Sequence, residues 1–304
     1  MPMKIRQLGS GFVGEVSGLD LTKPLPKDDI AAIHAGMDKY AVLIFHDQHF
    51  TDDQQLAFTK SLGPIEHDFA TSLRGPDRLP STFADVSNLD KSGNTLARDS
   101  KKRLYNLGNQ LWHSDSSFKV VPARYSLLHA RSVTSKGGNT GFADMRQAWD
   151  AVDPETKAIC EPLICEHSRK YSRARLGIVE FTAADEATLV PVLQRLVRVH
   201  PSSERTSLYL SAHAGKIVGW PEPEAKAFLM DLTEHATQRE YIYSHKWSVG
   251  DLVIWDNQAT MHRARPFPHD QPRDVRRTTL MGDAPTVPNQ GSWGTANAVQ
   301  GVVA

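Results

Sequence analysis

The sequence predicts a mixed α+β chain, mainly β: a double-stranded β-helix (jelly-roll) core buttressed by helices. Three observations lead there. Short apolar runs bounded by turn signals recur through the second half, among them Tyr125–Val133, Thr140–Ala143, Asp251–Trp255 and Val275–Met281. Apolar residues at helical spacing occupy the front and the middle. Neither an internal repeat nor a linker-like break divides the chain, so one domain over residues 1–304 is expected.

Taken in order, Lys4–Leu8 and the run through Val16 to Leu21 read as strands broken by Gly11 and Gly14. Asp28 to Tyr40 carries Ile30, Ile33 and Met37 at helical spacing, and Ala41–Phe45 follows as a strand. Thr51-Asp52-Asp53-Gln54 forms a capping box, in which threonine caps the helix and Gln54 reaches back. That helix runs to about Ser61 and stops at Gly63-Pro64. From Glu66 to Asn109 the pattern dissolves into Ser, Asp, Asn, Gly and Pro, so residues 66–110 are read as a substrate lid. Leu111–Phe118 is a strand candidate, and Gly137-Gly138 marks the turn before Thr140. Arg146–Val152, Pro154–Pro162 and Pro221–Thr237 read as helices; Leu196–His200, Ser207–Ala212 and Tyr241–Trp247 read as strands. The tail, residues 284–304, has few bulky apolar residues and is expected to be loosely ordered.

Lys and Arg number 35 and Asp and Glu number 35, which gives no overall field to draw nucleic acid or an anionic membrane. Any anion must be held by a local cluster of cations. No stretch approaches the roughly 20 apolar residues of a membrane span, and no secretory leader is apparent. Two cysteines, Cys160 and Cys165, are too few for a disulfide framework and read as reduced structural thiols. The expected setting is the cytoplasm, with a small organic acid as partner, and a homo-oligomer remains open.

Among 13 histidines only His113 is followed two places later by an acid, Asp115. On a strand, positions i and i+2 share a face, so one imidazole and one carboxylate can meet one cation. His262 follows the apolar run LVIWDNQATM, where a strand would deliver it into a barrel mouth. Two histidines and a carboxylate leave octahedral positions open, the arrangement associated with iron(II) oxygenases. A capped strand end is the plain alternative for His262.

Arg273 and Arg277 are four apart on a predicted strand and face one way, with Arg276 on the other. Two inward guanidiniums call for carboxylate ligands, which they grip through planar forks. Two exposed arginines on an edge strand would be the alternative. Thr140 can donate a hydroxyl to one such carboxylate, though a threonine on a strand is unremarkable.

The segments GNQLWHSDSSF, GGNTGFADMRQAWDA and GDLVIWDNQATMHRARPF resemble the TauD/TfdA family of 2-oxoglutarate-dependent dioxygenases, over most of residues 1–283. PARYSLLHA and EHATQREYIYSHKWSVGD are closer to its 2,4-dichlorophenoxyacetate branch than to its taurine branch. The resemblance implies iron(II) on His113, Asp115 and His262, and 2-oxoglutarate held by Thr140 and Arg273. It also implies O2 as second co-substrate and a substrate carboxylate on Arg277. An aryloxyacetate would be split to a phenol and glyoxylate, with release of succinate and CO2. Lysines of that branch fall here near Thr71 and Thr95, so His67, Arg74 or Arg98 would have to compensate, or the substrate differs. Taurine, an alkylsulfonate or an alkyl sulfate remain alternative substrates, and a non-catalytic carboxylate-binding jelly roll is the alternative of another class. Trp112, beside the ligand pair, is read as core.

Overall fold

The computed structural model describes residues 3–9, 11–67 and 78–288. The chain opens with β1 (Lys4–Leu8), β2 (Val13–Ser17), α1 (Lys27–Tyr40), β3 (Val42–Phe45), α2 (Asp52–Leu62), β4 (Ala84–Asp85) and α3 (Lys101–Asn106). The middle holds β5 (Tyr125–Ser132), β6 (Thr140–Asp144), α4 (Met145–Asp150), α5 (Pro154–Cys160), β7 (Ile164–His167), α6 (Arg169–Ala174) and α7 (Ala183–Thr188). It continues through β8 (Val192–Arg195), β9 (Val197–Val199), β10 (Thr206–Leu208), β11 (Ala214–Ile217) and α8 (Glu222–Ala236). β12 (Ile242–His245), β13 (Leu252–Asp256), β14 (Thr260–Ala264) and β15 (Asp274–Thr279) complete the order.

Two sheets matter for the site. One has seven strands in the order β1-β2-β3-β13-β5-β15-β4, and the other runs β12-β6-β14. Period-two alternation sorts the side chains of the large sheet. Leu43, Phe45, Leu252 and Ile254 pack with Ile33 and Met37 of α1 and Phe58 of α2. Val42, Ile44, Val253 and Trp255 point the other way, into a cluster with Phe142 of β6 and Trp247. The outer face of the small sheet, through Ala143 and Met261, packs on Trp149 of α4 and Leu229 of α8. The result is helix, sheet, sheet, helix, with a buried seam between the two sheets.

Several expectations meet corrections. Leu111–Phe118 is not a strand: a single antiparallel bridge, His113 to His262, is all the pairing it makes, and a turn begins at Asp115. Ser116, at φ 54°, takes the left-handed conformation that ends any extended run. β2 starts three residues earlier than expected, since Val13 pairs with Val42 of β3. The stretch 66–110 supplies structure of its own, because β4 pairs Ala84 and Asp85 with Arg277 and Arg276. The Thr51 capping box forms as expected, and Gly137 and Gly138, both at φ 70°, make the turn into β6.

A buried ion network fastens β4 to β15. Asp85 accepts from Arg78 at 3.1 Å, Lys102 at 2.6 Å and Ser87 at 2.6 Å, while Arg78 also reaches Asp274 at 2.7 Å. Burial opposes ionisation of Asp85, but Arg78 and Lys102 outweigh it and hold the carboxyl well below the usual range. A depressed folded pKa stabilises above the unfolded value and ceases to do so as pH falls. Asp85→Ala is therefore expected to lower the unfolding free energy at pH 7 by about 3–5 kcal/mol in urea denaturation, because it strands the buried Lys102 ammonium and leaves Arg78 with Asp274 alone. The gap to the parent should narrow below about pH 4.

Candidate active site

β14 turns Met261 outward into the helix-side core and His262 inward to the seam, where its ring lies 4.6 Å from that of Trp255. His262 is thus on a strand of its own, entered after the turn at Asn257, not at the end of β13. His113 is set against it by two backbone bonds, His113 N to His262 O at 3.0 Å and His262 N to His113 O at 2.9 Å. Ser114 fixes the segment from behind by donating to Thr260 O at 3.1 Å.

His113, Asp115 and His262 place one ligand atom each within 4.8 Å of one another, and all three are buried. His113 Nδ1 bonds Leu111 O at 2.8 Å, which leaves Nε2 turned to Asp115 Oδ1 at 3.8 Å. His262 Nε2 lies 3.6 Å from Asp115 Oδ2. Burial lowers the pKa of both imidazoles, so they are neutral donors at pH 7. Burial works against ionisation of Asp115, yet the Arg277 guanidinium beside it, helped by the Ser126 hydrogen bond, brings its pKa down to about 2. Two neutral imidazoles and one ionised carboxylate on one side of a cavity fit a divalent cation with open positions.

Asp115 is itself held. Ser126 Oγ donates to its Oδ2 at 2.7 Å, and Arg277 pairs with Oδ1. Asn257 Nδ2 donates to Ser126 Oγ at 3.0 Å, while its Oδ1 accepts from Asp115 N at 3.1 Å and Trp255 Nε1 at 3.0 Å. One buried amide thereby fixes both the backbone and, through Ser126, the carboxylate of the ligand.

Two cavities open from this centre. The first includes His113, Thr140, Trp255, His262, Arg273 and Arg277 in its lining. Arg273 lies one residue before β15 and not on the strand itself, ahead of the register shift between Asp274 and Val275, and reaches the cavity with its head against Gly138. Among the described residues it has no carboxylate partner, and burial lowers its pKa to about 10. Thr140 Oγ1 accepts from Trp247 Nε1 at 3.0 Å, which leaves the hydroxyl proton free to donate. Arg276 points away, to Asp52 and Asp274, as strand alternation requires.

The second cavity runs past His113, Asp115 and Arg277 to Tyr105, Phe118, Arg169, Arg173 and His213. His67, Thr95 and Arg98 are not in its lining; Thr71 and Arg74 lie outside the described residues. Trp112 is half-buried and packs against the outer core under the ring contact of Arg263 at 5.4 Å, in keeping with its core reading. Sequence reasoning missed Ser126, Asn257, Trp247, Arg173 and His213. A polar Asn closing the apolar run LVIWD was a usable signal; the others lie in unremarkable stretches.

Comparison with known proteins agrees with this geometry. A model of the family described as "Taurine catabolism dioxygenase TauD, TfdA family" matches residues 4–279. The alpha-ketoglutarate-dependent 2,4-dichlorophenoxyacetate dioxygenase of Cupriavidus pinatubonensis is 40% identical over 90% of this chain and 96% of its own. The (S)-phenoxypropionate/alpha-ketoglutarate-dioxygenase of Delftia acidovorans is 34% identical over 92% and 95%. Among solved structures, AAD-2 in complex with Mn(II) and N-oxalylglycine superposes with a TM-score of 0.89 at 54% identity, covering 95% of this chain and 100% of that one.

Asn257→Ala leaves Ser126 and the Asp115 backbone without their partner. It is expected to weaken Mn(II) binding by roughly 10–100-fold in a calorimetric titration while far-UV circular dichroism stays native.

Proposed function

The chain belongs to the TauD/TfdA family of dioxygenases, and from that premise we propose that it hydroxylates an aryloxyacetate such as 2,4-dichlorophenoxyacetate. As a member it is a 2-oxoglutarate-dependent dioxygenase. One observation carries the substrate reading: the buried His113–Asp115–His262 set opens on two separate cavities, each furnished with guanidinium. One cavity suits a co-substrate acid and the other a primary-substrate acid.

Iron(II), held by His113, Asp115 and His262, would supply the oxidative decarboxylation of 2-oxoglutarate to succinate and CO2 and the hydroxylation of a substrate C–H by O2. Arg273 and Thr140 hold the distal carboxylate of 2-oxoglutarate, the arginine through its planar fork and the threonine through the proton that Trp247 leaves free. Arg277, on the wall common to both cavities, would hold the carboxylate of the primary substrate and so orient the carbon beside the ether oxygen for hydroxylation. Hydroxylation there gives a hemiacetal that separates into a phenol and glyoxylate. Tyr105 and Phe118 offer aromatic walls to the ring.

The facing sheets are read as a double-stranded β-helix, with residues 1–304 as one catalytic domain. Residues 66–110, of which 68–77 lie outside the described residues, are read as a substrate lid; the Ala84, Asp85 and Tyr105 lining of the second cavity supports this. The free, buried thiols of Cys160 and Cys165, whose pKa values burial raises to about 11 and about 12, suit a cytoplasmic setting.

Purified protein with Fe(II), ascorbate and 2-oxoglutarate should form succinate and a phenol when phenoxyacetates are offered. Taurine and an alkyl sulfate, offered separately, should yield neither sulfite nor aldehyde; either product would displace the aryloxyacetate reading. Absence of succinate with metal bound would favour a binding protein. Arg277→Ala should raise the KM of the phenoxyacetate far more than that of 2-oxoglutarate, with a loss on the order of 2–5 kcal/mol. The reverse order would exchange the roles of Arg277 and Arg273.

A further inference from the structure

Arg277 is not the best-prepared cation of the substrate cavity, because it is already paired with Asp115. Arg173, on α6, is different. Its residue is 6% exposed, and among the described residues it has no carboxylate partner. The guanidinium donates to Ser172 Oγ at 3.0 Å, lies 3.9 Å above the ring of Tyr105, and leaves Nε with no hydrogen-bond partner. Gly108 makes the room for it: a Cβ there would stand 2.1 Å from the Arg173 head. Burial lowers the pKa of Arg173, the same stress that marks Arg273 in the other cavity.

A buried guanidinium without a counter-charge costs several kcal/mol unless an anion arrives. Each cavity therefore holds one such cation, Arg273 in the first and Arg173 in the second, with Arg277 between them tied to a metal-ligand candidate. We propose that Arg173 is a second acid-binding residue of the substrate cavity, gripping the carboxylate of the primary substrate from the side of α6 while Arg277 faces it from β15. The inference rests on the reading of this cavity as the substrate site and names the ligand class: an aromatic monocarboxylate. The ring of Tyr105 backs the guanidinium and lines the same cavity. An uncharged amide of the same shape keeps one neutral hydrogen bond at most and loses the charge-assisted fork.

The test compares phenoxyacetate with phenoxyacetamide in calorimetric titrations of protein loaded with Mn(II) and N-oxalylglycine, which cannot turn over. Arg173→Gln should raise the Kd of the acid by roughly 30-fold or more and that of the amide by less than about 5-fold. Arg173→Lys, which keeps the charge and loses the fork, should fall between, and it serves if the glutamine variant does not fold. Equal weakening of acid and amide, or no change in either, would overturn the proposal and leave Arg173 a packing residue. Failure of the wild-type protein to form succinate would instead sink the proposed function; the acid–amide comparison on metal-free protein would still decide the role of Arg173.

Discussion

The reciprocal backbone bonds between His113 and His262 are the constraint on which the centre depends. An irregular segment and a strand of the small sheet meet at this one bridge, and it brings the two imidazole rings to 4.2 Å between centroids. Neither residue would hold that position alone. His262 needs β6 beside it to face the seam, and His113 needs β14 to stop a loop from drifting. The turn at Asp115 then delivers a carboxylate, and Asn257 keeps that turn from relaxing. Three ligand atoms converge because two sheets and one loop each fix one coordinate of the problem.

Electrostatics supply the second half. The residues of the seam are buried, so an unpaired ion there is costly. Asp115 stays ionised because the Arg277 guanidinium lies against it and Ser126 donates to it. Among the described residues Arg273 and Arg173 have no carboxylate partner and line different cavities, which is what the proposed carboxylate ligands would answer. The ion network of Arg78, Asp85, Lys102 and Asp274 sits at the outer edge and clips β4 and α3 to β15. Cavity walls drawn from the 66–110 stretch are thereby held to the same strand that carries Arg277.

Much of this was legible in the sequence, for local reasons. Strand alternation separates Arg277 from Arg276 because β15 is regular where they lie. The helix at Thr51 is legible because a capping box is a local code. The metal candidates were found through His-x-Asp, but the supporting argument, two side chains on one face of a strand, does not hold: the pair spans a bridge and a turn. The length of 66–110 signalled function, while its short strand was hidden because β4 exists only by pairing with β15, far along the chain. Arg173 was hidden as well. It stands in the basic run SRKYSRAR, and nothing local separates its buried guanidinium from the half-buried Arg169 and Lys170 or the exposed Arg175.

The central claim is one of placement, and diffraction from crystals grown with Mn(II) and N-oxalylglycine tests it most directly. The account predicts an anomalous peak within coordination distance of His113 Nε2, His262 Nε2 and an Asp115 carboxylate oxygen. The distal carboxylate of N-oxalylglycine should lie against Arg273 and Thr140. A peak elsewhere, or that carboxylate seated on Arg173, would contradict it.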